Sequence, residues 1–201
     1  MKVRQLLPYA ALTLVVAQLL LLVVSWLLSA TLASGVRSLI SSEGIRWFFG
    51  HFTSMLCSPL LAWMLLMAIA WGCLQRSGLL GALVRIPSRS LLFRERVALR
   101  QCAIILAVLL VVVVLLTAVP HAVVLSASGR LFPSAVSASL IAIVCFLIVV
   151  VSLTYAVWAG VARSLADVFE LLVCGIRQCA PLFVIYILFI QFYESLRFVF
   201  W

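Results

Sequence analysis

The sequence predicts an all-α integral membrane protein, a polytopic bundle of about five transmembrane helices forming one domain over residues 1–201. Three observations predict it. Of the 201 residues, 67% are apolar and 9% charged, whereas a soluble domain is about a quarter charged. Mean hydropathy is +1.35. The apolar residues are also gathered into runs longer than about eighteen, the length at which a run reads as a span. No stretch is polar enough for a separate soluble domain.

Span one is expected over residues 9–33, ended by Ser34-Gly35. Lys2 and Arg4 ahead of an apolar run also suit a secretory signal, and Ser29–Ala33 offers small residues for cleavage. The run is longer than the roughly 7–15 residues of a signal core, which favours a retained span. Residues 36–51 set Arg37, Glu43 and Arg46 among Leu39, Ile40, Ile45, Trp47, Phe48 and Phe49. That mixture predicts an amphipathic segment in the interface, with aromatics at headgroup level.

Span two is expected over 52–74, with Pro59 opening a kink in its first turns. Trp63 and Trp71 are eight apart and share a face. Residues 75–101 form the main loop, where Arg76, Arg85, Arg89, Arg94, Arg96 and Arg100 stand against the lone Glu95. Gly78, Gly81 and Pro87 break its first half, and 88–100 predicts a basic helix feeding span three. Such a loop fixes topology. Arg85, Arg89, Arg94, Arg96 and Arg100 are also candidate contacts for lipid headgroups or a partner chain.

Span three is expected over 102–127. Val111–Val114 favours a strand in water. In hydrocarbon an isolated strand leaves its backbone unpaired, so the helix prevails. Span four is expected over 134–160 after a turn at Ser128-Gly129-Arg130, with Pro133 starting the helix. Ala135/Ser139 and Ala156/Gly160 are small pairs four apart that permit close helix packing. In 161–180, Arg163, Asp167 and Glu170 are spaced for one helical face. Pro181 then opens span five, 181–200. The count falls to four if 161–201 lies partly in the interface, or rises to six if 36–51 forms a re-entrant hairpin.

The formal charge of +9 comes from 14 basic residues, all arginine except Lys2. Their position at span ends and in one loop fits anionic lipid, not nucleic acid. With five spans and the N-terminus cytoplasmic, Lys2, Arg4, the six loop arginines, Arg163 and Arg177 fall inside, and Arg37, Arg46, Arg130 and Arg197 outside. Ten against four supports that orientation.

No catalytic constellation is spelled out: there is no Gly-x-Ser-x-Gly, His-Glu-x-x-His or phosphate loop. The chain is therefore expected not to be an enzyme, and no cofactor or metal is expected. Cys57, Cys73, Cys102, Cys145, Cys174 and Cys179 contain no Cys-x-x-Cys and read as small apolar residues. The strongest candidates for function are Gln191, Glu194 and Arg197, three apart on one side of span five. They form either an interfacial pair with Arg197 snorkelling or a polar lining that couples transport to protons. His121, beside Pro120, either wets an interface or titrates as a pH sensor.

Two stretches resemble the p-aminobenzoyl-glutamate transporter (AbgT) family. The first is Gly35-Val36-Arg37-Ser38-Leu39-Ile40-Ser41-Ser42-Glu43-Gly44-Ile45-Arg46-Trp47 together with Gly72-Cys73-Leu74-Gln75-Arg76-Ser77-Gly78-Leu79-Leu80, similar to that family's first loop and second helix. The second is Val161–Phe192, where Arg163-Ser164-Leu165-Ala166-Asp167 precedes an apolar helix ending Phe189-Ile190-Gln191-Phe192, similar to the family's last helices. Family members are more than twice as long, form dimers, and carry nine spans and two re-entrant hairpins per subunit. Leu116–His121 stands where the family places an Asn/Ser/Asp/Gly-rich segment, so no substrate-binding residue carries over. The resemblance implies a short, internally truncated relative in a bacterial inner membrane. It would take part in movement of an aromatic-acid or drug-like solute, as a homodimer or beside another subunit. A non-transporting scaffold or accessory subunit is the other expectation, because the spans offer little polarity for a midplane cavity.

Overall fold

The computed structural model describes residues 2–31, 37–85, 93–118 and 135–201. Among them are seven helices and no strand: α1 (Lys2–Ala30), α2 (Ser42–Leu56), α3 (Pro59–Arg76), α4 (Leu79–Arg85), α5 (Phe93–Ala118), α6 (Ala135–Trp158) and α7 (Leu165–Phe200). Five of these, α1, α3, α5, α6 and α7, are long and apolar enough to cross a membrane. This is the expected all-α, five-helix membrane class.

Several boundaries differ from the sequence reading, each for a local reason. Residues 52–56 belong to α2, not to span two. Ser41 caps α2 by accepting the Gly44 N–H on its Oγ at 3.0 Å. A Cβ on Gly44 would stand 2.5 Å from the Ser38 carbonyl oxygen and 2.6 Å from that of Leu39, so only glycine fits there. Pro59 does not kink a helix; it is the first residue of α3, where its missing N–H costs no bond. The basic loop is partly helical: α4 and the start of α5 occupy it, and the helix expected to feed span three begins at Phe93.

Helix α6 stops at Gly160, whose φ of +80° is left-handed. The Val161 N–H reaches the Ala156 carbonyl at 2.8 Å and the Gly160 N–H reaches Val157 at 3.1 Å, the paired bonds of a Schellman ending. Gly160 therefore terminates the helix and does not extend a small-residue face with Ala156. The side chains of Ala135 and Ser139 lie outside the described residues.

Helix α7 corrects two further expectations. It starts at Leu165, so Pro181 lies inside it and does not open it. At 1.5 Å per residue its 36 residues extend about 54 Å, well beyond a hydrocarbon core of about 30 Å. Between Arg177 and Glu194 no residue is charged; that interval of about 24 Å is the apolar centre. Arg163 precedes the helix, so it shares no helical face with Asp167. Instead the Arg163 and Ser164 N–H groups both donate to Asp167 Oδ2 at 2.9 Å. The Asp167 N–H donates to Ser164 Oγ at 3.2 Å, completing a reciprocal capping box.

The chain divides into two units: residues 1–62 with 179–201, and residues 63–178. In the first, Leu21 of α1 packs with Leu39, Phe198 and Val199, flanked by Trp47 and Phe192. Trp47 stacks on Phe198 with centroids 4.3 Å apart. The Arg37 guanidinium stands 5.8 Å above the same ring, and the Arg37 backbone N–H donates to the Val199 carbonyl at 3.1 Å. In the second unit, Leu79, Ala82, Ala98, Cys102 and Tyr155 join α4, α5 and α6. Cys73, Ala156, Ala162 and Leu171 form a neighbouring cluster. There α3 and α7 touch through glycines: a Cβ on Gly72 would collide with Gly175 backbone, and one on Gly175 with the Ala68 carbonyl. Trp63 and Trp71 both lie exposed on α3, as their spacing implies.

Candidate functional site

Within the second unit, the turn after α3, the last residue of α4, the start of α5 and the end of α6 surround a cavity of about 400 Å³. The local sequence explains its existence. Gly78, with φ +80°, reverses the chain after α3. Ser77 holds that reversal, donating to the Leu74 carbonyl at 3.2 Å and accepting the Leu79 N–H at 3.3 Å. Helix α4 then carries the chain to Arg85, the last described residue before α5. Arg85 reaches across to the first turn of α5, where its Nη1 lies 3.5 Å from Glu95 Oε1.

Arg85, Phe93, Arg94, Glu95 and Tyr155 line the cavity with Ser77, Gly78, Ala159 and Val161. Arg85 is 55% exposed and Glu95 17%, so the carboxylate sits deeper than its partner. Tyr155 is buried. Arg94 Nη1 lies 3.7 Å from where a Cβ on Gly160 would stand, and Arg163 Nε donates to the Gly160 carbonyl at 3.3 Å. Two guanidinium groups thus flank the turn that ends α6. The arrangement holds cations beside a hollow with a mixed polar and apolar wall, suited to an anionic group.

Of the loop arginines, Arg85 and Arg94 line this cavity and Arg96 and Arg100 do not; Arg89 lies outside the described residues. Glu194 and Arg197 do pair, at 4.0 Å, with side chains 25% and 65% exposed. Gln191 is half-buried one turn earlier. These three form a loose pair at the last turns of α7 plus a neighbouring amide. His121 lies outside the described residues.

Sequence reasoning missed two polar contacts inside the first unit. Gln18, at the middle of the α1 span Leu6–Ala30, donates from Nε2 to Ser195 Oγ at 3.0 Å. Its Oε1 is buried without a partner among the described residues. Ser58 Oγ and the Tyr186 hydroxyl also hydrogen-bond. Gln18 was legible as the one amide within a long apolar run; its partner, 177 residues away, was not.

The Asp167 carboxylate, at the start of α7, is held below the ordinary carboxylate range, first by the Arg163 N–H, then by the Ser164 N–H and hydroxyl. Ten residues, or about 15 Å, separate it from Arg177 at the edge of the apolar centre. This box is structural: it fixes where the helix begins.

No family model, no curated protein and no solved structure matches the chain.

Proposed function

We propose that the chain is a transport-related membrane subunit, AbgT-like in ancestry, that works beside a second copy or a companion chain instead of forming a complete solute path alone. The main support is how polar groups inside its spans are used. Gln18 of α1 bonds Ser195 of α7, and Tyr186 of α7 bonds Ser58 in the turn before α3, so these groups tie segments of the chain together. The charged residues of α7 stand at the two ends of its apolar centre. Each span also carries exposed large apolar side chains, among them Leu19 and Leu20 of α1, Met67 of α3, Val111 of α5, Phe146 of α6 and Phe189 of α7. That surface is available to lipid and to further helices, which in membranes associate through small and hydrogen-bonding residues. A bacterial inner membrane, a cytoplasmic N-terminus and an aromatic-acid or drug-like solute follow from the resemblance and the charge distribution.

Reconstitution tests this reading. Purified in mild detergent, the protein is expected to have a protein mass well above the 22.1 kDa of one chain. Alone in proteoliposomes it is expected to give no uptake of p-aminobenzoyl-glutamate, with or without a pH gradient. Uptake by the chain alone would refute the subunit role. A self-sufficient carrier is favoured by one observation, the buried Gln18 Oε1 without a partner among the described residues, and loss of that uptake in Gln18→Leu would be its signature.

A further inference from the structure

The cavity at the end of α3 belongs to no step of the transport reading, and its chemistry is specific. Arg94 is exposed and has no carboxylate partner among the described residues. Arg85 has one, but at 3.5 Å, whereas a strong charge-assisted N–H···O bond is about 2.7–2.9 Å. Glu95 therefore holds Arg85 loosely, and an oxyanion entering the cavity can compete for it. With Arg85 and Arg94 against Glu95 the lining carries +1, and Arg163 at the Gly160 turn makes the surroundings +2. Ser77 is already committed to backbone on both sides, so the guanidinium groups are the recognition elements.

The size and border of the cavity narrow the ligand. About 400 Å³ falls within the range of small-molecule sites, roughly 300–1,000 Å³. Its lining is not wholly polar. Phe93 and Val161 belong to it, and both are exposed, Phe93 at 81%. Guanidinium groups next to outward apolar side chains, at the end of membrane-crossing helices, suit a molecule charged at one end and apolar at the other. Basic pockets between membrane helices bind anionic headgroups, and the planar fork of arginine matches two phosphate oxygens at once.

We infer that this cavity is a binding site for the phosphodiester headgroup of an anionic phospholipid, held by Arg85 and Arg94. Its apolar rim meets the start of the acyl chains. The inference stands apart from the transport reading and survives if that reading fails.

The test is native mass spectrometry of the purified full chain, titrated with phosphatidylglycerol or with zwitterionic phosphatidylcholine. The protein is expected to retain phosphatidylglycerol in preference by on the order of tenfold. Arg85→Gln and Arg94→Gln, both exposed positions whose helicity and elution volume should stay normal, are each expected to lower that preference about fivefold. Arg177→Gln, on α7 and outside the cavity, is expected to leave it unchanged. Millimolar inorganic phosphate should not displace the lipid. Equal retention of both lipids, or an equal loss in Arg177→Gln, would overturn the site. Displacement by inorganic phosphate would overturn the lipid assignment in favour of a free anion.

Discussion

At the scale of single residues, the glycines of this chain carry opposite consequences. Glycine inside a helix is ordinarily about 1 kcal/mol worse than alanine. Gly50 has nothing within 4 Å of its missing Cβ, so Gly50→Ala should raise the thermal midpoint in detergent. Gly175→Ala should do the reverse, because the new methyl would run into the Ala68 carbonyl; overpacking of this kind costs about 1–3 kcal/mol. A midpoint unchanged in Gly175→Ala would mean that α3 and α7 do not meet there. The Glu194–Arg197 pair is the opposite case. At 4.0 Å and largely exposed on the arginine side, it resembles the surface pairs that contribute about 0–1 kcal/mol. Glu194→Gln is expected to leave stability and any pH dependence of activity nearly unchanged; a displaced pH profile would restore this carboxylate as a coupling group.

At the scale of elements, the beginning of α7 shows why part of the chain is legible in its sequence and part is not. Ser164-Leu165-Ala166-Asp167 spells a capping box in the sequence. The same Asp167 also stands four after Arg163 and three before Glu170, and that helical spacing suggested a shared face. Backbone donors prevailed because Ser164 ends the non-helical segment and offers its own N–H and that of Arg163 to the carboxylate. Pro181 departs from its sequence expectation for a related reason. In water an interior proline usually ends a helix. In a bundle, neighbouring helices and local adjustments compensate the carbonyl it leaves unpaired, here that of Arg177, and the helix continues. The cap has a pH signature. Because the folded Asp167 carboxyl is depressed below its ordinary value, its stabilisation is present above the unfolded pKa of about 4. It fades as pH falls from there through the lower folded value. Amide exchange in the first turn of α7 should therefore accelerate on acidification in the wild type, and already be fast and pH-insensitive, after correction for intrinsic rates, in Asp167→Asn.

At the scale of the whole molecule, composition and run length fixed the class and the number of long apolar helices, because both depend only on local hydropathy. The cavity could not be read in the same way. Its arginines were visible as charge, but Tyr155 and Gly160 come from a different span and Ser77 from the turn after α3, and only packing joins them. Five crossings make a definite topological demand: Arg46 and Trp201 on one side, Arg85 on the other. Reporter fusions or cysteine labelling at those three positions should divide in that pattern, and any other division would overturn the count of five.

The span of α7 between Arg177 and Glu194, about 24 Å of uncharged helix, is shorter than an average hydrocarbon layer of about 30 Å. A deficit of that size is met by pinching the surrounding lipid or by stretching flanking cations toward the headgroups, and each ångström carries a modest energy. The protein should consequently be more heat-resistant in nanodiscs of fourteen-carbon acyl chains than in those of twenty, and in a cell it would gather where the bilayer is thinnest.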